Sequence, residues 1–119
     1  MYEFPPDFDA KTLLGMTLEM LCFTKNQIVL HFDSDTSIVA EAGILHKRPS
    51  DESSGTMITI PPERVELLGL LEHKTTAAAI YRQRVLTLTF DTGDILSFSD
   101  LSDGYESYHV TRKGQTVHI

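Results

Sequence analysis

The chain has 119 residues, 41% of them hydrophobic and 23% charged, a balance that supports one modest hydrophobic core and argues against disorder. Seventeen acidic against ten basic residues give a net charge of −7, a field that repels nucleic acids and anionic membrane surfaces and leaves a basic protein surface as the easier partner. A single cysteine, Cys22, excludes an intrachain disulfide, no apolar run approaches the roughly 18 residues of a membrane-spanning helix, and the first residues lack a signal-peptide pattern, so a cytoplasmic location is expected.

In chain order, Asp9 to Gly15 reads as a very short helix capped by Asp9, with Gly just past its end. Thr17 to Phe23, Gln27 to Phe32 and Thr36 to Ala42 then read as three strands, separated by turns at Thr24-Lys25-Asn26 and Asp33-Ser34-Asp35. His46 to Gly55 is polar and rich in turn formers, so it is expected to be a loop. Met57 to Ile60 is a short strand candidate. Pro61 to Gly69 has proline and acid at its start and glycine at its end, which predicts a short helix near residues 63–68.

Lys74 to Ile80 opens a second set of strands, with a turn at Tyr81 to Gln83. Leu86, Leu88 and Phe90 alternate with Thr87 and Thr89, the period of two of a half-buried strand. Asp91-Thr92-Gly93-Asp94 is a hairpin turn, and Ile95 to Phe98 is the return strand. Tyr105 to Thr111 and Gln115 to Ile119, around Lys113-Gly114, complete a C-terminal hairpin over 105–119.

Two stretches of this chain are alike. Leu13-Leu14-Gly15 returns as Leu67-Leu68-Gly69, and aligning Phe32 with Phe90 also matches Ile28 with Leu86, Leu30 with Leu88, Asp33 with Asp91 and Ile38 with Leu96. Gly to Phe spans 17 positions in one copy and 21 in the other, which places four extra residues near the second copy's first turn. The expectation is a single domain, 1–119, with repeats at about 10–44 and 63–101. Its fold class is mainly β: two related antiparallel three-stranded meanders packed as a sandwich, roll or barrel. The expected core is Leu18, Met20, Ile28, Leu30, Phe32, Ile38, Leu86, Leu88, Phe90, Leu96 and Phe98.

Candidate chemistry is sparse. Phe90-Asp91-Thr92-Gly93 matches the aspartic-protease signature, but the other copy, Asp33-Ser34-Asp35, lacks its glycine, and a hairpin turn accounts for both. The same turn aspartates lack the spacing of a calcium loop. None of the five histidines has zinc-site spacing, and His31 is expected to be exposed on a strand. Cys22, between Leu21 and Phe23, reads as a small core residue. No metal or cofactor is expected. Tyr105-Glu106-Ser107-Tyr108 is the most interface-like feature, because tyrosines beside a carboxylate form the wet aromatic edge common at interfaces.

The Leu-Leu-Gly openings, the Leu-Thr-Leu-Thr-Phe-Asp-Thr-Gly run at Leu86 to Gly93 and the closing Tyr105-Glu106-Ser107-Tyr108 together resemble a family of small bacterial proteins of unknown function. The resemblance covers about Leu13 to Ile119 and departs at Asp35, where that family has glycine. It implies no activity; by analogy with similar small proteins it implies an immunity-type role. The sequence reading is therefore a protein-binding module, immunity-type or regulatory, not an enzyme, with Tyr105, Glu106, Tyr108 and His31 as its surface and a homodimer through an edge strand as one form. The alternative is a small-molecule-binding domain or minor enzyme with a pocket between the two meanders.

Overall fold

The structure, a computed structural model, describes residues 3–50, 55–60, 66–99 and 108–119. Alternating side chains build most of the strands. The first is β1 (Leu18–Phe23), followed by β2 (Ile28–Phe32), β3 (Thr36–Ala40), β4 (Ile44–Lys47) and β5 (Thr56–Ile58). The second half supplies β6 (Thr75–Tyr81), β7 (Val85–Phe90), β8 (Ile95–Phe98), β9 (Tyr108–Arg112) and β10 (Gln115–His118). In β2, β3 and β4 every second residue is buried, as a sheet with one face on a core requires. Short 3₁₀ turns at Ala10–Leu13 and Glu66–Leu70 precede β1 and β6. Asp9 caps the first, its Oδ1 accepting the Lys11 N–H at 2.9 Å.

The strands form two antiparallel five-stranded sheets, ordered β1-β2-β3-β9-β10 and β5-β4-β8-β7-β6, and neither closes into a barrel. Each three-stranded meander is thus extended by a hairpin from the other half of the chain. Their inner faces share one core, in which Phe32 and Phe90 stack with ring centroids 6.3 Å apart. Phe98 packs on Tyr108 at 5.7 Å, and Phe4 enters from the N-terminal segment to meet Tyr108 at 6.2 Å. That segment is tied to the β6–β7 turn, since the Phe4 N–H donates to the Gln83 carbonyl and Arg84 pairs with Glu3 at 2.9 Å.

The two halves are related by an approximate two-fold axis at a bridge between Thr17 and Lys74. Its hydrogen bonds come in matched pairs. Leu18 N–H donates to His73 O at 3.0 Å and Thr75 N–H to Met16 O at 2.9 Å; Glu72 N–H donates to Leu18 O and Gly15 N–H to Thr75 O, both at 2.8 Å. The same β-bulge interrupts both first strands, between Leu18 and Met20 and between Thr75 and Ala77.

These pairs correct the sequence alignment. Gly15, at φ 72°, corresponds to Glu72, at φ 71°, while Gly69 lies within the second 3₁₀ turn. The second copy has one extra residue: Phe23 faces Ile28 across one turn, whereas Ile80 faces Leu86 across the other. The leucine pairs misled because both copies are leucine-rich for two turns of chain.

The bulge also corrects two core assignments. One extra residue reverses the alternation of β1, so Leu21 and Phe23 pack on the core while Met20 is 51% exposed and Cys22 is half-buried. His46 and Lys47, expected in a loop, belong to the inner strand β4, because Ile44 and His46 alternate inward against β8. The rest of that expected loop falls partly on residues 51–54, and the expected helix near 63–68 partly on 61–65, outside the described residues. No helix among the described residues is long and apolar enough to cross a membrane.

Candidate functional site

Strand alternation places His46 where a core side chain belongs. Ile44 is fully buried and His46 only 4% exposed, with Leu45 and Lys47 facing outward. A buried imidazole needs a partner for its N–H. The strand pairing supplies one, since His46 lies opposite Leu96 and Lys47 opposite Ile95, which brings the turn residue Asp94 alongside. His46 Nε2 and Asp94 Oδ2 are 2.6 Å apart. The other carboxylate oxygen accepts the Thr92 hydroxyl at 2.6 Å, and the Asp94 N–H donates back to that hydroxyl oxygen at 3.2 Å.

Burial pushes the Asp94 carboxyl up, but the Thr92 and His46 hydrogen bonds and the charges of His46 and Arg48 outweigh it and hold the group below its ordinary value. An ionised Asp94 accepts only, so the proton between the two residues is carried by His46 Nε2. Nδ1 has no hydrogen-bond partner among the described residues, and no sealed side-chain nitrogen or oxygen among them lacks one, so Nδ1 reaches solvent. His46 lines a cleft of about 410 Å³ with Arg48, Thr56, Met57, Ile58, Thr59 and Glu66. Arg48 and Glu66, each about half exposed, pair there at 3.5 Å.

The other half of the fold provides an internal control. Ile38 faces Val110 in the first sheet as Leu96 faces His46 in the second, so Val110 is the counterpart of His46 and Thr36 that of Asp94. Arg112 likewise corresponds to Arg48. A matching groove of about 430 Å³ is lined by Asp9, Val110, Arg112 and Val117. The shared architecture therefore keeps an arginine and an acid in both places but needs no His–Asp pair, because Val110 and Thr36 fill the same positions in one of them.

A second pair, His73 Nδ1 to Asp91 Oδ1 at 2.7 Å, lies on the surface with both residues more than 40% exposed. Asp91 also accepts the Lys74 N–H at 3.3 Å, as Asp33 accepts the Thr17 N–H at 3.1 Å. Asp33 does this without a histidine, so the common task of these aspartates is to hold the start of β6 and β1. The Lys74 N–H holds the Asp91 carboxyl below its ordinary value against the opposing effect of desolvation, with His73 adding to the effect. A protease pair sharing one proton would raise a carboxyl instead.

Of the residues singled out in the sequence, the two described ones, Tyr108 and His31, do not share a surface. Tyr108 is 1% exposed, its hydroxyl donating to the Arg84 carbonyl at 2.6 Å, so it belongs to the core and not to a surface. It lies inside because β9 joins the first sheet through Ala40, with its odd-numbered neighbour His109 facing out. Tyr105 and Glu106 lie outside the described residues. His31 stands half-buried on the outer face of the first sheet, between Met20 and Ser37 on the flanking strands. His46 escaped notice because His-Lys-Arg-Pro reads as a polar loop; the alternation of Ile44 and His46 was the only local signal. Among the described residues no group of three or more histidine, cysteine or acidic side chains could hold a metal ion. Comparison with family models, curated proteins and solved structures yields no match.

Proposed function

We propose that the chain is a ligand-binding module whose recognition site is the cleft at His46. The observation that carries this reading is the asymmetry of a duplicated fold: where one groove has Val110, and Thr36 at the corresponding turn, the other has a buried His46 paired with Asp94. A cleft of about 410 Å³ with an apolar wall and a few converging polar groups has the dimensions of a small-molecule site. It lies against β4, β5 and the second 3₁₀ turn, not between the two meanders, where aromatic and aliphatic side chains fill the core.

The test installs the other half's pair. His46→Val with Asp94→Thr is expected to keep the fold while removing binding of polar, metabolite-sized fragments found by ligand-observed NMR with the wild-type chain. Fragments that bind wild type and the double variant equally would place the ligand elsewhere.

A protein-binding role is supported by a different observation. Among the described residues no strand lies beyond β5 in one sheet or β10 in the other, and the chain carries −7. An open edge can pair with a partner's strand or with a second copy. Sizing combined with light scattering, and capture by a basic bait at low and moderate salt, test this reading. A monomer that captures nothing at either salt concentration would end it.

A further inference from the structure

We propose that His109 and His118, on the outer face of the first sheet, form a two-imidazole chelate for a borderline divalent transition ion: Zn²⁺, Ni²⁺ or Cu²⁺. The site is independent of the cleft, whose histidine belongs to the second sheet.

The β9–β10 hairpin unites two histidines whose sequence spacing matches no zinc motif. Its register sets them directly opposite one another. Tyr108 and Ile119 exchange both backbone hydrogen bonds, at 2.8 and 3.2 Å. The next rung, His109 with His118, is therefore a non-hydrogen-bonded pair, the class whose side chains stand closest across an antiparallel ladder. Alternation turns both outward, since Tyr108, Val110 and Ile119 are buried; His118 is exposed and His109 half-buried.

The two ring centroids are 5.2 Å apart, with the planes tilted by 46°. Zinc–nitrogen bonds of about 2.0–2.1 Å place the centroids of two rings on one ion about 4.5–5.2 Å apart, for bond angles from square to tetrahedral. The pair already stands at that separation, so chelation asks for rotation of the rings and not for movement of the strands. Each ring commits one nitrogen to the ion and keeps the other for a hydrogen bond, as ligating histidines ordinarily do.

The surroundings suit a cation. The chain carries −7, and the neighbouring outward positions Val39, Thr111 and Thr116 bear no charge. Water completes the coordination shell that two imidazoles leave open. Imidazole favours borderline ions over Mg²⁺ and Ca²⁺, which prefer oxygen, and Cu²⁺ should bind tightest of the series.

The experiment titrates Zn²⁺ into the full chain by calorimetry, alone and with excess Mg²⁺, and uses substoichiometric Ni²⁺ as a paramagnetic probe in NMR. Zn²⁺ is expected to bind without competition from Mg²⁺, and Ni²⁺ to broaden signals around His109 and His118 before those of His31, His46 and His73. His118→Gln and His109→Gln should each weaken Zn²⁺ by about tenfold or more, because the remaining imidazole loses its intramolecular partner. His73→Gln should leave the affinity unchanged. The exposed position of His118 lets that variant keep its fold, which its spectrum verifies. A His118→Gln variant that binds Zn²⁺ as tightly as wild type overturns the proposal. Broadening spread evenly over the five histidines, displacement of Zn²⁺ by Mg²⁺, or no Zn²⁺ binding at all overturns it equally.

Discussion

Replacing Asp94 by threonine alone should be more harmful than replacing Asp94 and His46 together. In the single variant the ring of His46, 4% exposed, loses the acceptor now 2.6 Å from Nε2. An unpaired buried donor costs about 1–3 kcal/mol. His46→Val alone leaves Asp94, 14% exposed, with the Thr92 hydroxyl but without its ring partner, at about 1 kcal/mol plus lost packing. The double variant removes both polar groups and installs the pair that the first sheet uses, so what remains is a volume mismatch of about 1 kcal/mol. The coupling between the two changes should therefore be about 1–2 kcal/mol. Urea unfolding at neutral pH, with the dependence on urea unchanged among the four proteins, measures each difference. A double variant as unstable as the sum of the singles would falsify both the pairing and the correspondence between halves.

The same pair predicts an acid dependence. Asp94 is held below the ordinary carboxylate value of 3.8, so its contribution is complete above that value and is lost as pH falls through the lower folded one. The stability gap between wild type and the double variant should shrink between about pH 5 and pH 2, measured by urea unfolding in steps of pH. Glu72→Gly should stabilise by about 1 kcal/mol, because Glu72 has the positive φ that Gly15 adopts in the other half; an unchanged thermal midpoint would show that the carboxylate side chain contributes as much as its strain costs. Phe4→Ala should cost about 3–5 kcal/mol, since the ring is 1% exposed between Phe8 and Tyr108, and a change below about 1 kcal/mol would show that the N-terminal segment is not part of the cooperative core.

The strands were legible where period and turn chemistry agreed. Leu86, Leu88 and Phe90 alternate with threonines and end at Asp91-Thr92-Gly93, and β7 is found there. Alternation failed in β1, where a bulge that leaves no trace in composition turned Met20 outward. It was overlooked in β4, where the four residues Ile44–Lys47 are too few to outweigh the polar run that follows. The repeat was visible through Phe32 and Phe90, which do stack, but its register was not, because Glu72 adopts a conformation that sequence reasoning reserves for glycine. Tyr108 illustrates a different failure: an amphipathic residue near a chain end gives no sign of whether its hydroxyl meets water or, as here, the Arg84 carbonyl. The site itself depends on Asp94 and His46 meeting across 48 positions, a contact no local pattern encodes.

Because β3 is completed by β9 and β8 by β4, neither half of this chain owns a finished sheet. A fragment ending after β5 would expose the flank of β3 that waits for residues 108–112, and its own outlying hairpin would have nothing to join. Two such fragments would satisfy one another by reciprocal exchange, the arrangement of an intertwined dimer, which the single polypeptide reproduces within itself. Assembly then has no stable halfway stage: contacts between distant parts of the chain must close together, which favours slow, all-or-none folding.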